Sequence, residues 1–251
     1  MTHSYFTLKG NRHLIPCKLY YGDNTVCVKR VILGVHGFCG DMESSALTML
    51  AQTMIPHDGA VLCFDFPAHG SSPVDGNSFT LDDCKSDFLT VAEHIRCNYP
   101  HADYGLFATS FGGYIALLCA EDIPEFRMAL RAPAVPFADV LLKNVLCISR
   151  EEFERKGTVT CGFERKMDIS FTVYSQFALN DIRTQVYRRP LLVFHGTQDE
   201  VVPYDQIAEF CVRQPNARLV TIKNGDHRFK NSGDMECVIS EAVMYYLSEQ
   251  S

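Results

Sequence analysis

The stretch Ala108-Thr109-Ser110-Phe111-Gly112-Gly113 sets one serine among small residues, after an apolar run at 104–107 and before a helix-like run at 114–121. A serine hydroxyl is a poor nucleophile unless it is presented bare at a sharp turn, beside a base and beside donors for the charge that develops on the substrate oxygen. A strand-to-helix elbow meets these demands. The chain crosses itself there so closely that the residues two before and two after the serine must be small. Ala108 and Gly112 satisfy that condition, which makes Ser110 a candidate nucleophile. Taken alone, the same pattern also describes a serine capping a helix after a glycine-rich turn, so the rest of the chain has to decide.

Such a serine needs an imidazole to take its proton and a carboxylate to hold that imidazole in the right tautomer and stabilise its charged form. The run Leu191-Leu192-Val193-Phe194-His195-Gly196-Thr197-Gln198-Asp199-Glu200 reads as a buried strand entering a turn that carries an acid, Asp199. Further on, Gly225-Asp226-His227-Arg228 lies between the last strand-like run and the final helix-like one, and His227 is the candidate base. Each piece has a plainer reading: a histidine after Gly-Asp suits a surface turn, and Asp199 suits a helix cap. Glu200, Asp205 and Asp226 are rival carboxylates. Asp226 ranks below Asp199 because adjacent side chains in a loop diverge. A fourth piece, Gly34-Val35-His36-Gly37-Phe38, ends an early strand. The tetrahedral intermediate needs two backbone N–H donors, one from the residue after the nucleophile and one from such an early loop, so Phe111 and Phe38 are the candidates. His36 is expected to bond loop backbone rather than act directly.

The elements that must hold these groups follow from hydrophobic period. Short apolar, β-branched runs recur at 31–35, 60–66, 104–108, 128–132, 191–195 and 218–222, and segments with helical spacing lie at 44–55, 81–97, 114–121, 207–213 and 235–247. Alternation of this kind predicts an α/β fold, a mostly parallel sheet covered on both faces, with ligands at the carboxyl ends of the strands. Residues 5–8 and 14–21 read as an antiparallel hairpin at the sheet edge. The alternation stops at about 134–189, a segment richer in charge and aromatics that lacks a clear strand. It reads as a helical cap insertion within a single domain spanning 1–251.

Composition narrows the class. With 251 residues the chain can bury roughly 70–75% of its unfolded surface in one core. A formal charge of -7 argues against nucleic acid or an anionic membrane as partner. No basic start with an apolar run occupies residues 1–10, and no apolar stretch reaches the roughly 18 residues needed to span a bilayer, so the expected location is the cytoplasm. The 11 cysteines are odd in number, scattered and without a C-x-x-C pair, so no metal site and no disulfide framework is expected.

On these four motifs the chain resembles the α/β-hydrolase superfamily across essentially its whole length. Within it, the sequence looks most like small bacterial carboxylesterases related to cinnamoyl and feruloyl esterases and to serine-aminopeptidase-like hydrolases. The stretch Asp65-Phe66-Pro67-Ala68-His69-Gly70-Ser71-Ser72 resembles the D-x-x-G-x-G loop of that family, where the residues are structural. The resemblance implies an eight-stranded, mostly parallel sheet, the chain order Ser, Asp, His, and no cofactor. Ala108 departs from the usual elbow glycine, and Ser72 stands where the loop carries its second glycine. Aspartate-nucleophile dehalogenases are set aside by Ser110, and the tryptophan-bearing cofactor-free haloperoxidases by the lack of any tryptophan.

The expected activity is therefore serine carboxylesterase action on a small to medium ester. An aromatic acyl group is suggested by Phe137, Phe153, Phe163, Phe171, Tyr174 and Phe177, residues that would serve core packing equally well. Alternatives are a peptidase or amidase, in which Glu151, Glu152 and Glu154 would hold an amino terminus, a thioesterase, or a low-turnover binding homologue. Oligomeric state is left open.

Overall fold

Six of the apolar runs and the amino-terminal hairpin join in one eight-stranded sheet in this computed structural model, which describes residues 1–22, 28–163 and 165–248. The strands are β1 (Thr2–Lys9), β2 (Leu14–Tyr21), β3 (Arg30–Val35), β4 (Gly59–Phe64), β5 (Asp103–Thr109), β6 (Arg127–Arg131), β9 (Leu191–Gly196) and β10 (Ala217–Ile222), with β7 and β8 in a separate pair described below. Their order in the sheet is β1-β2-β4-β3-β5-β6-β9-β10. Pairing is antiparallel from β1 to β2 and from β2 to β4, and parallel everywhere else.

Burial explains why the central runs are apolar throughout. All six residues of β4 and all six of β9 are buried, whereas edge strand β1 alternates between exposed and half-buried positions. Alternate residues feed two cores. Val31, Leu33, Val35, Leu62, Phe64 and Leu106 pack on one face, and Ile32, Val61, Cys63 and Phe107 on the other. The first core is completed by α2 (Leu81–Asn98) and α3 (Phe111–Leu118), the second by α1 (Ser45–Met54) and α8 (Asp234–Leu247). Helix α2 shows how local sequence selects its element. Thr80 caps it, accepting a hydrogen bond from the Asp83 amide at 3.1 Å, and Cys84, Phe88, Val91 and Ile95 form its buried stripe. The last crossover helix, α7 (Tyr204–Arg213), joins β9 to β10.

After β3 the chain forms β4 on one side and then β5 on the other, so the connections diverge between β3 and β5. The carboxyl ends of those two strands are where an open α/β sheet has room for a ligand. Between β6 and β9 the chain leaves the sheet for α4 (Phe137–Val140), α5 (Arg150–Lys156), β7 (Thr158–Cys161), β8 (Met167–Ser170) and α6 (Phe171–Leu179). The antiparallel β7–β8 hairpin is an addition to the helices read from the sequence. No helix among the described residues is long and apolar enough to cross a membrane.

Candidate active site

Ser110 occupies the corner between β5 and α3 with φ 50° and ψ -113°, a conformation that L-residues rarely adopt. The corner is held on both sides, since the Ser110 amide donates to the Arg131 carbonyl at 2.9 Å and the Ser110 carbonyl accepts from the amides of Tyr114 and Ala134. Small neighbours are a steric necessity here. A Cβ placed on Gly112 would lie 2.5 Å from the His36 carbonyl oxygen, and one on Gly37 would lie 3.3 Å from Ser110 Cβ. The early loop after β3 therefore runs directly against the serine. Neither the Phe38 nor the Phe111 amide donates to another group among the described residues, which leaves both available beside Ser110.

The three residues selected from the sequence meet at this corner although 117 positions separate Ser110 from His227 and 28 separate His227 from Asp199. His227 Nε2 lies 3.1 Å from Ser110 Oγ, and His227 Nδ1 lies 2.8 Å from Asp199 Oδ2. An ionised carboxylate only accepts, so Nδ1 carries the proton and Nε2 is left to accept from the serine hydroxyl. Burial raises the Asp199 carboxyl, but the hydrogen bond and charge of His227 and the Val202 amide outweigh it and hold the group below its ordinary value. Its other oxygen accepts from the amides of Val201 and Val202 at 2.9 and 2.7 Å.

The rival acids have other partners. Asp226 Oδ1 accepts from the amides of Arg228 and Lys230, and Glu200 meets His227 only through the backbone amide, at 3.3 Å. Asp205 lies in the first turn of α7. His36 bonds backbone through both ring nitrogens: Nδ1 donates to the Gly37 carbonyl, and Nε2 accepts from the Phe66 amide. Burial pushes its pKa down to about 4, so it ties the early loop to the β4 end as a neutral ring. Asp65 joins the same loops by accepting from the Met42 and Ser71 amides.

Four residues went unassigned in the sequence. His195, fully buried at the end of β9, has Nε2 at 3.2 Å from Asp199 Oδ2 and 2.9 Å from the Val202 carbonyl, which fixes the acid from behind. Arg131 closes β6 and lines the cleft of about 470 Å³ that opens over Ser110, as do Arg228 and Lys230. His195 and Arg131 each stand at the carboxyl end of a strand, where a polar residue is ordinary, so only the fold shows that they are buried. Of the six aromatics in the insertion, Phe163 lines this cleft. Phe137 and Phe177 instead pack on Phe111 and Tyr114, and Phe153 packs on Phe171 and Tyr174. Glu151 and Glu154 are exposed on α5, and Glu152 pairs with Lys156 at 2.8 Å. Among the described residues, no group of three or more His, Cys, Asp or Glu side chains stands where it could hold a metal ion.

Comparison with known proteins agrees with this architecture. Residues 27–156, just over half of the chain, match the family described as serine aminopeptidase, S33, and residues 170–251 match one described as TAP-like protein. The mouse mitochondrial palmitoyl-protein thioesterase ABHD10 is 25% identical over 222 residues, covering 83% of this chain and 72% of that protein. Among solved structures, Est1E of Butyrivibrio proteoclasticus with ferulic acid bound superposes with a TM-score of 0.84 at 21% identity, covering 96% of this chain and 98% of its own. Mouse alpha/beta hydrolase domain-containing protein 10 gives 0.75 at 20% identity, with 98% and 100% covered. The fold, the sheet order and the family match lead to one assignment: this chain is an α/β-hydrolase enzyme and belongs to the serine aminopeptidase S33 family.

Proposed function

We propose that the protein is a serine hydrolase that cleaves carboxylic esters through an acyl-enzyme, acting as a single domain with residues 134–189 as its cap. The observation that carries this reading is the continuous line from Ser110 Oγ to His227 Nε2 and from His227 Nδ1 to Asp199 Oδ2. In the first half-reaction the Ser110 oxygen attacks the ester carbonyl while its proton passes to His227 Nε2, and Asp199 stabilises the imidazolium. The Phe38 and Phe111 amides donate to the oxyanion. His227 then returns the proton to the departing alcohol oxygen, leaving the acyl group on Ser110. In the second half-reaction a water oxygen attacks the acyl carbonyl while its proton passes to His227, and as the acyl–Oγ bond breaks and the acid departs, His227 returns that proton to Ser110.

The cleft lining favours ester over aminopeptidase chemistry. Among the described residues, three cationic side chains and no carboxylate line the cleft over Ser110, so a substrate ammonium would meet like charge. Thioester cleavage is the second reading, favoured by the mouse relative whose name is palmitoyl-protein thioesterase. An aromatic acyl group has narrower support, namely Phe163 at the cleft and the ferulic acid held by a structural neighbour. We place the activity in a reducing compartment, the cytoplasm, where 11 cysteines stay as thiols.

Intact-mass measurement after incubation with a fluorophosphonate tests the reading. One adduct on wild type and none on Ser110→Ala is the expected result. No adduct on either, together with no turnover of 4-nitrophenyl acetate or butyrate, overturns it. A matched oxyester and thioester pair then separates the two hydrolytic readings.

A further inference from the structure

The charge around Ser110 runs against that of the rest of the chain. The protein as a whole carries -7, yet among the described residues the cleft over the serine is lined by Arg131, Arg228 and Lys230 and by no Asp or Glu. Arg131 is the unusual member, a guanidinium only 7% exposed. Its two hydrogen bonds go to neutral oxygens, one from Nη1 to Thr109 Oγ1 at 3.3 Å and one from Nη2 to the Arg228 carbonyl at 3.0 Å. Its Nε is buried with no partner. The ring of Phe229 lies 5.2 Å from its central carbon.

Burying a cation is costly unless a counter-charge and hydrogen bonds compensate it. Asp199 and Asp226 act on Arg131 at longer range, but Asp199 is engaged by His227 and Asp226 by two backbone amides. Burial pushes the guanidinium pKa down to about 10, which leaves it charged at neutral pH. A buried, charged, incompletely bonded arginine on a cleft wall is a group whose remaining partner comes from outside. Its planar fork suits a carboxylate.

We propose that Arg131, supported by Arg228 and Lys230, forms an anion subsite beside Ser110, so that the preferred substrates are esters bearing a free carboxylate. This inference rests on the ester-hydrolase reading above. The subsite pairs its cations with the substrate carboxylate while the ester carbonyl sits at Ser110. The chemistry at the ester is unchanged and the carboxylate is a binding handle.

Two matched pairs test it: mono-4-nitrophenyl adipate against 4-nitrophenyl hexanoate, with the charge on the acyl side, and 4-acetoxybenzoate against 4-acetoxybenzamide, with the charge on the leaving side. In at least one pair the anion is expected to have kcat/KM about tenfold above its neutral partner at low salt, a preference that high salt erodes. Arg131→Met should bring that ratio to near one, and Arg131→Lys should retain part of it. The exposed Arg228→Ala and Lys230→Ala variants, which do not disturb a buried site, should each lower the ratio. Ratios at or below one in both pairs, with the neutral esters turned over, overturn the subsite and leave the hydrolase reading standing. If no ester turns over and no fluorophosphonate adduct forms, the hydrolase reading fails and calorimetry decides the subsite. Adipate binding to Ser110→Ala that disappears in Ser110→Ala/Arg131→Met supports it, and no adipate binding to Ser110→Ala overturns it.

Discussion

The floor of the cleft and the insertion between β6 and β9 are held in place by different forces. The floor is lined from the ends of β3, β5 and β6, strands whose neighbours on both sides fix them by backbone hydrogen bonds, and from the loop after β10. The insertion consists of short elements whose anchors are side chains: Phe153 against Phe171 and Tyr174, and Phe137 against Phe177. Its firmest polar tie is Arg165, which donates to the carbonyls of His69, Gly70 and Ser72. The hydrogen bonds of paired strands are made by the backbone and do not depend on side-chain identity, whereas the ring contacts that anchor the insertion are lost with a single side chain. The proposed reaction residues and the insertion thus belong to regions that respond to mutation differently.

The largest expected effect lies on the floor. Ser110→Ala or His227→Ala should lower ester turnover by roughly a millionfold, and Asp199→Asn by roughly 10⁴-fold, with circular dichroism unchanged. Near wild-type activity in Asp199→Asn would move the orienting role to another carboxylate. Next comes the insertion, where Phe153 is fully buried. Phe153→Ala should destabilise by about 3–5 kcal/mol. Hydrogen exchange should locate the lost protection within 134–189, and loss spread equally over the sheet would show that the two regions open as one unit.

A smaller effect lies at their junction. His69 stacks on Phe111 with rings 6.3 Å apart, and burial pushes its pKa down to about 3. In the unfolded chain the same imidazole protonates near 6.5, so between about pH 6.5 and 3 the unfolded state binds more protons and stability falls as pH falls. His36, lowered to about 4, adds to that slope. His69→Gln should remove its share, about 2 kcal/mol at pH 5, leaving a flatter profile of melting temperature against pH than wild type. Parallel profiles would mean that His69 protonates in the fold as it does in the unfolded chain. The smallest effect belongs to Phe163, which is 76% exposed at the cleft. Phe163→Ala should change stability by no more than about 0.5 kcal/mol while raising KM for long or aromatic acyl esters.

What could be read from the sequence divides along the same line. The runs at 31–35, 104–108 and 191–195 revealed β3, β5 and β9 to within a residue or two, because strands buried on both faces leave little choice but apolar side chains. Ser110, Asp199, His227, Phe38 and Phe111 stand at strand ends or in the loops that follow, so reading the strands also brought these residues to one edge. The β7–β8 hairpin escaped because its strands are four residues each and mix Thr, Asp and Ser with apolar positions. Arg131 escaped for the opposite reason. It follows an apolar run as a charged strand end normally does, and only the fold shows that Thr109 and the β10–α8 loop residues Arg228 and Phe229 enclose it.

Ser110 also bears on how durable the molecule can become. A non-glycine residue held at φ 50° costs on the order of 1–3 kcal/mol, which the hydrogen bonds of Arg131, Tyr114 and Ala134 must offset. Selection for heat resistance alone would favour glycine at 110, a change that relaxes the turn and discards the hydroxyl. Ser110→Gly should therefore melt higher than Ser110→Ala while being equally inert. Where the wild-type serine persists among thermophilic descendants of such a chain, their added stability must have been gained elsewhere in the fold.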